Sequence, residues 1–199
     1  MRVLNAEFIK SSTKSDDSLP QDFAEVAFLG RSNVGKSSLI NAFTSKKALA
    51  KSSSTPGKTR LINFFSVDAL EGEERLMFRL VDLPGFGYAK VSKSERELWE
   101  ENLTRFLYER ISIKLFLLLR DSRHPKMEID DEVKEFLQSF NRRDYRIQEV
   151  FTKIDKLTKN ELGALKRNNP GALFVSTSSK AGIDTLLCEV HSALFVEHK

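Results

Sequence analysis

The sequence predicts an α/β protein in three layers, with helices on both faces of a mostly parallel sheet. Three observations point there. Apolar runs such as EVAFLG and KLFLLLRD lack the polar alternation of a half-exposed strand and read as strands covered on both faces. Strand-like runs alternate with segments of helical period, the order that builds a wrapped parallel sheet. EVAFLG also opens directly into a glycine-containing turn and then a helix, and in such sheets ligands collect at the carboxyl ends of the strands.

MRVLNAEFIK gives a short first strand, and the polar run SSTKSDDSLP, ending at Pro20, reads as the loop after it. Residues 1–22 are therefore expected to pack as an N-terminal strand and loop on one domain spanning 23–199. After EVAFLG, SSLINAFTS is a helix. TRLINFFSVDA and RLMFRLVDLPG read as two strands, with EGEE turning between them. SERELWEENLTRFLYER places Leu98, Leu103, Phe106 and Leu107 on one helical stripe. KLFLLLRD is the next buried strand, followed by a helix in EIDDEVKEFLQSF and a strand in RIQEVFTK. A short helix near ELGALKR, a strand in ALFVST and a closing helix in IDTLLCEVHSALF complete the chain.

Composition removes several classes. A chain of 199 residues that is 40% hydrophobic and 30% charged can bury a core and is no disordered segment. The longest apolar run, around Leu115 to Leu119, is far too short to span a bilayer, and MRVLNAEFIK lacks the features of a secretory signal. The lone Cys188 forms no internal disulfide and no thiol cluster, which fits a reducing cytoplasm. A net charge of +4 leaves open both a nucleic-acid partner and ordinary surface solvation.

GRSNVGKS, residues 30–37, matches G-x-x-x-x-G-K-[ST] in full, between a strand and a helix. Gly30 and Gly35 allow a backbone whose N–H groups point inward at phosphate oxygens, and the helix beginning near Lys36 adds its positive end. Lys36 supplies the charge that bridges the β- and γ-phosphates, and the Ser37 hydroxyl is a Mg²⁺ ligand.

FTKID places Thr152, Lys153 and Asp155 at the end of a strand. A carboxylate there accepts hydrogen bonds from the N1–H and the exocyclic amine of guanine. Adenine offers neither donor and leaves the carboxylate unpaired, at a cost of at least ~1–3 kcal/mol. GTP is therefore preferred to ATP, which disfavours an ATP-dependent kinase or motor. VSTSSK offers backbone N–H groups of Ser176 and Thr177 to the guanine carbonyl. In VDLPG, Asp82 holds Mg²⁺ through a water and the Gly85 N–H reaches the γ-phosphate, contacts that end on hydrolysis. SSSTPGKTR, between the phosphate-loop helix and the next strand, is the other candidate switch. It offers Thr59, or alternatively Thr55, as the second hydroxyl ligand of Mg²⁺.

GRSNVGKSSLINA, STPGKTRLINFF, VDLPGFGYAK, DSRHP and TKIDKL, in this order, resemble the EngB (YihA/YsxC) GTPases of the TrmE–Era–EngA–YihA–Septin class. The likeness runs from EVAFLG through the last helix. It implies a P-loop GTPase fold (a G domain) and slow GTP hydrolysis to GDP and phosphate, on the order of 10⁻⁴ s⁻¹ unassisted and faster with a partner. It also implies a bacterial cytoplasmic role in assembling the large ribosomal subunit and a part in division septum formation. Motif by motif, it places Gly30, Arg31, Ser32, Asn33, Val34, Gly35, Lys36, Ser37 and Ser38 around GTP. With them come Gly57, Lys58, Thr59, Arg60 and Leu61, then Asp82, Leu83, Pro84 and Gly85. Thr152, Lys153, Ile154 and Asp155, and then Val175, Ser176 and Thr177, complete the set. Lys36, Thr59 and Gly85 are the expected catalytic groups, and Ser37, Thr59 and Asp82 the expected metal site. VSTSSK departs from the S-A-K of related GTPases.

Phe86 stands where many such switches carry a water-orienting glutamine. Asn33 resembles an asparagine that ligates K⁺ in relatives, and bracing of the loop is the alternative. No appended RNA-binding domain is expected after the final helix, so pre-ribosomal contacts fall to the domain's own surface. The basic groups in SKKALAK, SRHPK and NRRDYR are candidates for that contact or for solvated charge. Neither DNA binding nor a membrane span is expected, and the chain is read as a monomer. In DSRHP, Asp121, Arg123 and His124 are read as stabilising a turn. His191 and His198 are read as surface or packing residues, and Trp99 as packing. The competing function is a GTP-sensing module that recruits division proteins without meaningful turnover.

Overall fold

Strand β2 (Glu25–Gly30) runs through the middle of the sheet with all six residues buried. The computed structural model describes residues 1–13, 17–50, 61–86, 93–140 and 144–196, with only the backbone at 93–100. On one side β2 pairs in parallel with β4 (Glu74–Asp82), and on the other with β5 (Ile113–Asp121). Outward from β5 follow β6 (Arg146–Thr152) and β7 (Leu173–Phe174), both parallel. Outward from β4 follow β3 (Ile62–Glu71) and β1 (Arg2–Ser12), both antiparallel. The order is β1-β3-β4-β2-β5-β6-β7, so the expected mostly parallel α/β sheet is present.

Because successive strand residues face opposite ways, β2 feeds two cores. Val26 and Phe28 pack under α1 (Lys36–Phe43) and α5 (Ile183–Phe195), with Leu39, Phe43, Leu186 and Val190. Ala27 and Leu29 face α2 (Lys93–Glu109) and α3 (Glu128–Gln138), with Phe106, Leu107 and Leu137. Each large apolar side chain removed from water contributes about 1.5–3 kcal/mol, so a strand buried on both faces stabilises both layers of the sheet. The remaining helix, α4 (Lys159–Asn168), starts with a capping box in which Thr158 and Glu161 satisfy each other's backbone N–H groups.

Two elements depart from the sequence reading. The first strand is long rather than short: pairing with β3 continues to Ser12↔Ile62, and Ser11 Oγ donates to Asn63 at 2.7 Å. Polar residues that suit a loop are kept in the strand by this edge ladder. The strand read in ALFVST shrinks to Leu173–Phe174, because the chain bends into a loop once Val175 N has donated to Phe151 O. Gly182 closes that loop at φ +75°, where a Cβ would lie 2.1 Å from Phe174 O.

At the amino ends of the strands a buried ion pair ties the layers together. Arg110, just past α2, donates from Nε and Nη2 to both oxygens of Glu25, each at 2.7 Å. Ser112 Oγ donates to the same carboxylate at 2.9 Å, and the guanidinium lies over the rings of Phe64 and Phe106. Its Nη1 reaches Leu19 O at 2.8 Å, which pins the segment entering β2. Glu25→Ala removes the carboxylate that takes two charge-assisted bonds from this buried cation. It is expected to lower unfolding free energy by about 3–5 kcal/mol in a urea titration.

Candidate functional site

The phosphate-loop residues leave the carboxyl end of β2 under tight steric control. A Cβ on Gly30 would lie 2.8 Å from Val34 Cγ1 and 2.9 Å from Leu119 Cβ, so any side chain there would displace the loop or β5. Val34 is buried, and its N–H donates back to Arg31 O at 3.1 Å. Asn33 (φ 64°) and Gly35 (φ 103°) take the left-handed conformations that wind the loop. Helix α1 then begins at Lys36 with no side-chain cap and no acid in its first turn, unlike the boxed start of α4. Its leading N–H groups and positive dipole end suit an anion.

The D-x-P-G segment meets this loop at the end of β4. Asp82 is buried and takes a hydrogen bond and ion pair from Lys36 Nζ, with Asn63 Nδ2 donating to its other oxygen at 3.4 Å. Leu83 and Pro84 are buried behind it, and Leu83 N donates to Phe28 O at 3.1 Å. Gly85 closes on Ser32: a Cβ would stand 3.0 Å from Ser32 Oγ and 3.1 Å from Ser32 N. Phe86 makes an isolated parallel bridge with Arg31, and its side chain packs on the α2–α3 core. The residue in the usual glutamine position is therefore core packing. Ser37 and Ser38 sit in the first turn of α1, and Leu61 immediately precedes β3. Gly57, Lys58, Thr59 and Arg60, with the alternative Thr55, lie outside the described residues.

The T-K-x-D residues are braced against the phosphate loop. Thr152 Oγ1 donates to Val34 O at 2.7 Å. Lys153, itself left-handed at φ 59°, donates to Asn33 O at 2.5 Å and to Asp121 Oδ2 at 2.8 Å. Ile154 N donates to Val175 O at 3.3 Å, which joins the motif to the VSTSSK loop. Ser176 Oγ donates to Asp155 Oδ1 at 2.7 Å, the main cause holding that carboxyl below its ordinary range. Asp155 is thus kept ionised, with acceptor capacity to spare. One expectation is corrected here. The Ser176 N–H donates to Ala181 O at 3.0 Å, so Ser176 serves through its hydroxyl and its backbone donor is already used.

Asp121 does more than the turn-stabilising role its motif suggests. Its carboxylate takes Arg123 N and Nε, at 3.1 and 2.9 Å, which does brace the turn. It also anchors Lys153. Burial alone would push this carboxyl up, but the bonds from Arg123 and Lys153 outweigh it and hold it well below the usual carboxylate range. The available signal was an acid at the carboxyl end of an unbroken apolar strand. Arg123 and His124 are exposed and line, with Asn33 and Lys153, a polar pocket of about 210 Å³ beside the loop.

Comparison with known proteins agrees with this geometry. Residues 25–153 match the family described as 50S ribosome-binding GTPase. The probable GTP-binding protein EngB of Campylobacter jejuni is 53% identical over 184 residues, covering 92% of this chain and 93% of the relative. The protein of that description from Aliarcobacter butzleri is 50% identical over 198 residues, covering 98% and 99%. Among solved structures, a probable GTP-binding protein engB superposes with TM-score 0.62 at 23% identity, covering 86% of this chain and 98% of that one. Era, in complex with MgGDPNP and nucleotides 1506–1542 of 16S ribosomal RNA, superposes with TM-score 0.60 at 22% identity, covering 88% and 58%. These two likenesses speak for the fold.

A sheet of this order with a phosphate-loop turn at its centre defines a P-loop GTPase domain. The close relatives narrow that class, and the chain belongs to the EngB family of GTP-binding proteins, enzymes that hydrolyse GTP. Asp155→Asn is expected to weaken GTP binding by about a hundredfold or more, since hydrogen bonds to a charged acceptor contribute roughly 1.5–3 kcal/mol each. The same change should favour xanthosine triphosphate, and competition between the two nucleotides measures the shift.

Proposed function

We propose that the chain is a GTP-driven switch in assembly of the large ribosomal subunit, acting in the cytoplasm as a monomer and required for normal division and septation. The observation that carries the GTP part is the Asp155 carboxylate, held by Ser176 while neighbouring Lys153 and Thr152 grip the phosphate loop. Base recognition and phosphate binding thereby form one rigid unit. The ribosomal part is supported by the 50S ribosome-binding description of the matching family and by the RNA bound to the Era neighbour. Residues 1–22 work with 23–199 as one unit, since β1 extends the sheet and Arg110 grips Leu19.

In this reading Gly30, Arg31, Ser32, Asn33, Val34, Gly35, Lys36, Ser37 and Ser38 hold the phosphates, mostly through backbone N–H groups. Asp155 selects guanine, Lys153 covers its face, and Val175, Ser176 and Thr177 close that end of the site. The donor set also fits Mg²⁺: Asp82 offers a buried carboxylate at the end of β4, Ser37 a hydroxyl in the first turn of α1, and Thr59 would be the switch ligand. When bound, that ion neutralises charge on the phosphoryl oxygens. Gly85, against Ser32, places its backbone beside the phosphate loop, where charge on the transferring group must be met. With Phe86 packed into the core, no side chain at that position orients the attacking water, which accounts for slow intrinsic turnover.

Two outcomes test the reading. Single-turnover hydrolysis should run several-fold faster in K⁺ than in Na⁺ at equal ionic strength, because Asn33 is exposed on the rim of the polar pocket and would ligate the larger ion. Equal rates would remove Asn33 from that role. The chain should also co-sediment with large-subunit particles in the presence of a non-hydrolysable GTP analogue and not with GDP. Co-sedimentation that ignores the nucleotide would overturn the switch.

A further inference from the structure

Arg31 follows the first glycine of the phosphate loop, and its side chain and backbone point to two different parts of the protein. Its Nε donates to Asp130 Oδ1 at 3.2 Å, in the first turn of α3. Its main chain bridges Phe86, directly after Gly85. Gly85 in turn lies close against Ser32, where a Cβ would stand 3.0 Å from Ser32 Oγ. One residue therefore stands between α3 and the segment that closes over the phosphate loop.

The acid is unusual for its setting. Asp130 is fully buried, and its Oδ2 accepts no hydrogen bond among the described residues. Burial pushes this carboxyl up, against the pull of Arg31 and Arg120. A residue that served only to start the helix would sit in water, as the neighbouring Asp131 largely does. Helix α3 already holds the strand ends by other charges. Asp131 takes Arg120 at 2.7 Å, and Lys134 reaches Glu149 at 2.6 Å. A further buried carboxylate thus adds little to docking that these pairs do not supply. Its distinct contact is Arg31, whose side chain is only 21% exposed.

We infer that Asp130 is a positioning residue for GTP hydrolysis: by fixing Arg31, it sets where the Gly85–Phe86 backbone lies against the phosphate loop. The carboxylate touches no substrate in this scheme. It acts through the Arg31 side chain on the Arg31 main chain, and through that bridge on the Gly85 N–H. The inference rests on the proposed role of Gly85, and it explains how alignment is kept when residue 86 supplies no polar group.

The test compares Asp130→Asn with Asp131→Ala in the full chain, measuring single-turnover GTP hydrolysis, GTP and GDP affinity, and thermal melting. Asp130→Asn should slow hydrolysis about tenfold, the scale on which small misplacement of a positioned group acts, with GTP and GDP affinity changed less than about threefold. Asp131→Ala, which loses an exposed partner of Arg120, should leave the rate unchanged. If Asp130→Asn melts too low to assay, the double variant Arg31→Met/Asp130→Asn removes both charges and should be slowed to a similar degree. An unaltered hydrolysis rate in whichever variant folds, or a loss of affinity that matches the loss of rate, overturns the inference. A wild-type chain without GTP turnover overturns the reading beneath it, a different result from turnover that ignores Asp130.

Discussion

The central constraint is that β2 is buried on both faces and must end in a residue with no side chain. Six buried positions commit the strand to the middle of the sheet, between β4 and β5. The loop after it can only emerge between two neighbouring strand ends, where Val34 and Leu119 leave no room for a Cβ on Gly30. That places the start of α1, uncapped, at the centre of the carboxyl edge. The T-K-x-D and D-x-P-G segments leave other strands at that edge, which is why residues far apart in sequence converge on one short loop.

The two sides of the loop are held differently. On the T-K-x-D side the contacts are neutral or charge-assisted hydrogen bonds within the protein: Thr152 to Val34, Lys153 to Asn33 and Asp121, Ser176 to Asp155. None of these needs to break for Asp155 to accept further donors, so that side is preorganised. On the D-x-P-G side, Lys36 and Asp82 satisfy each other, and the glycine packs by steric fit rather than by hydrogen bonds. A polyanion competes for Lys36, and a cation competes for Asp82. The D-x-P-G side is thus held mainly by one ion pair, and the T-K-x-D side by several hydrogen bonds as well as the Lys153–Asp121 pair.

Much of this was legible in the sequence, and the reason is chemical. A loop that wraps phosphate needs glycines, a lysine and a hydroxyl in fixed order, so GRSNVGKS carries its own meaning. Buried parallel strands were visible as unbroken apolar runs, and EVAFLG keeps the ends it was assigned. The polar braces were not legible, because Asp121 and Lys153, or Arg31 and Asp130, lie 32 and 99 residues apart and follow no local period. The ALFVST strand was overread for a similar reason: its apolar residues are needed for the core beside β6, but its backbone turns to serve Asp155. Ser176 shows the limit most clearly. Its place in the loop was right, but the use of its hydroxyl instead of its N–H depends on Ala181 closing the loop behind it.

Stability and chemistry occupy opposite ends of the same strands. At the amino ends, Glu25, Arg110 and Ser112 form a fully satisfied buried network, and aromatic rings cover the guanidinium. At the carboxyl ends, Asp155 instead keeps acceptor capacity beyond its bond from Ser176. A buried charge is costly unless fully paired, and the bidentate Glu25–Arg110 contact meets that demand at the amino ends. Helix α2 links the two ends in the chain, since it follows the D-x-P-G segment and finishes at Glu109, just before Arg110. The Arg110 pairing thereby fixes the far end of the helix against the amino ends of the strands.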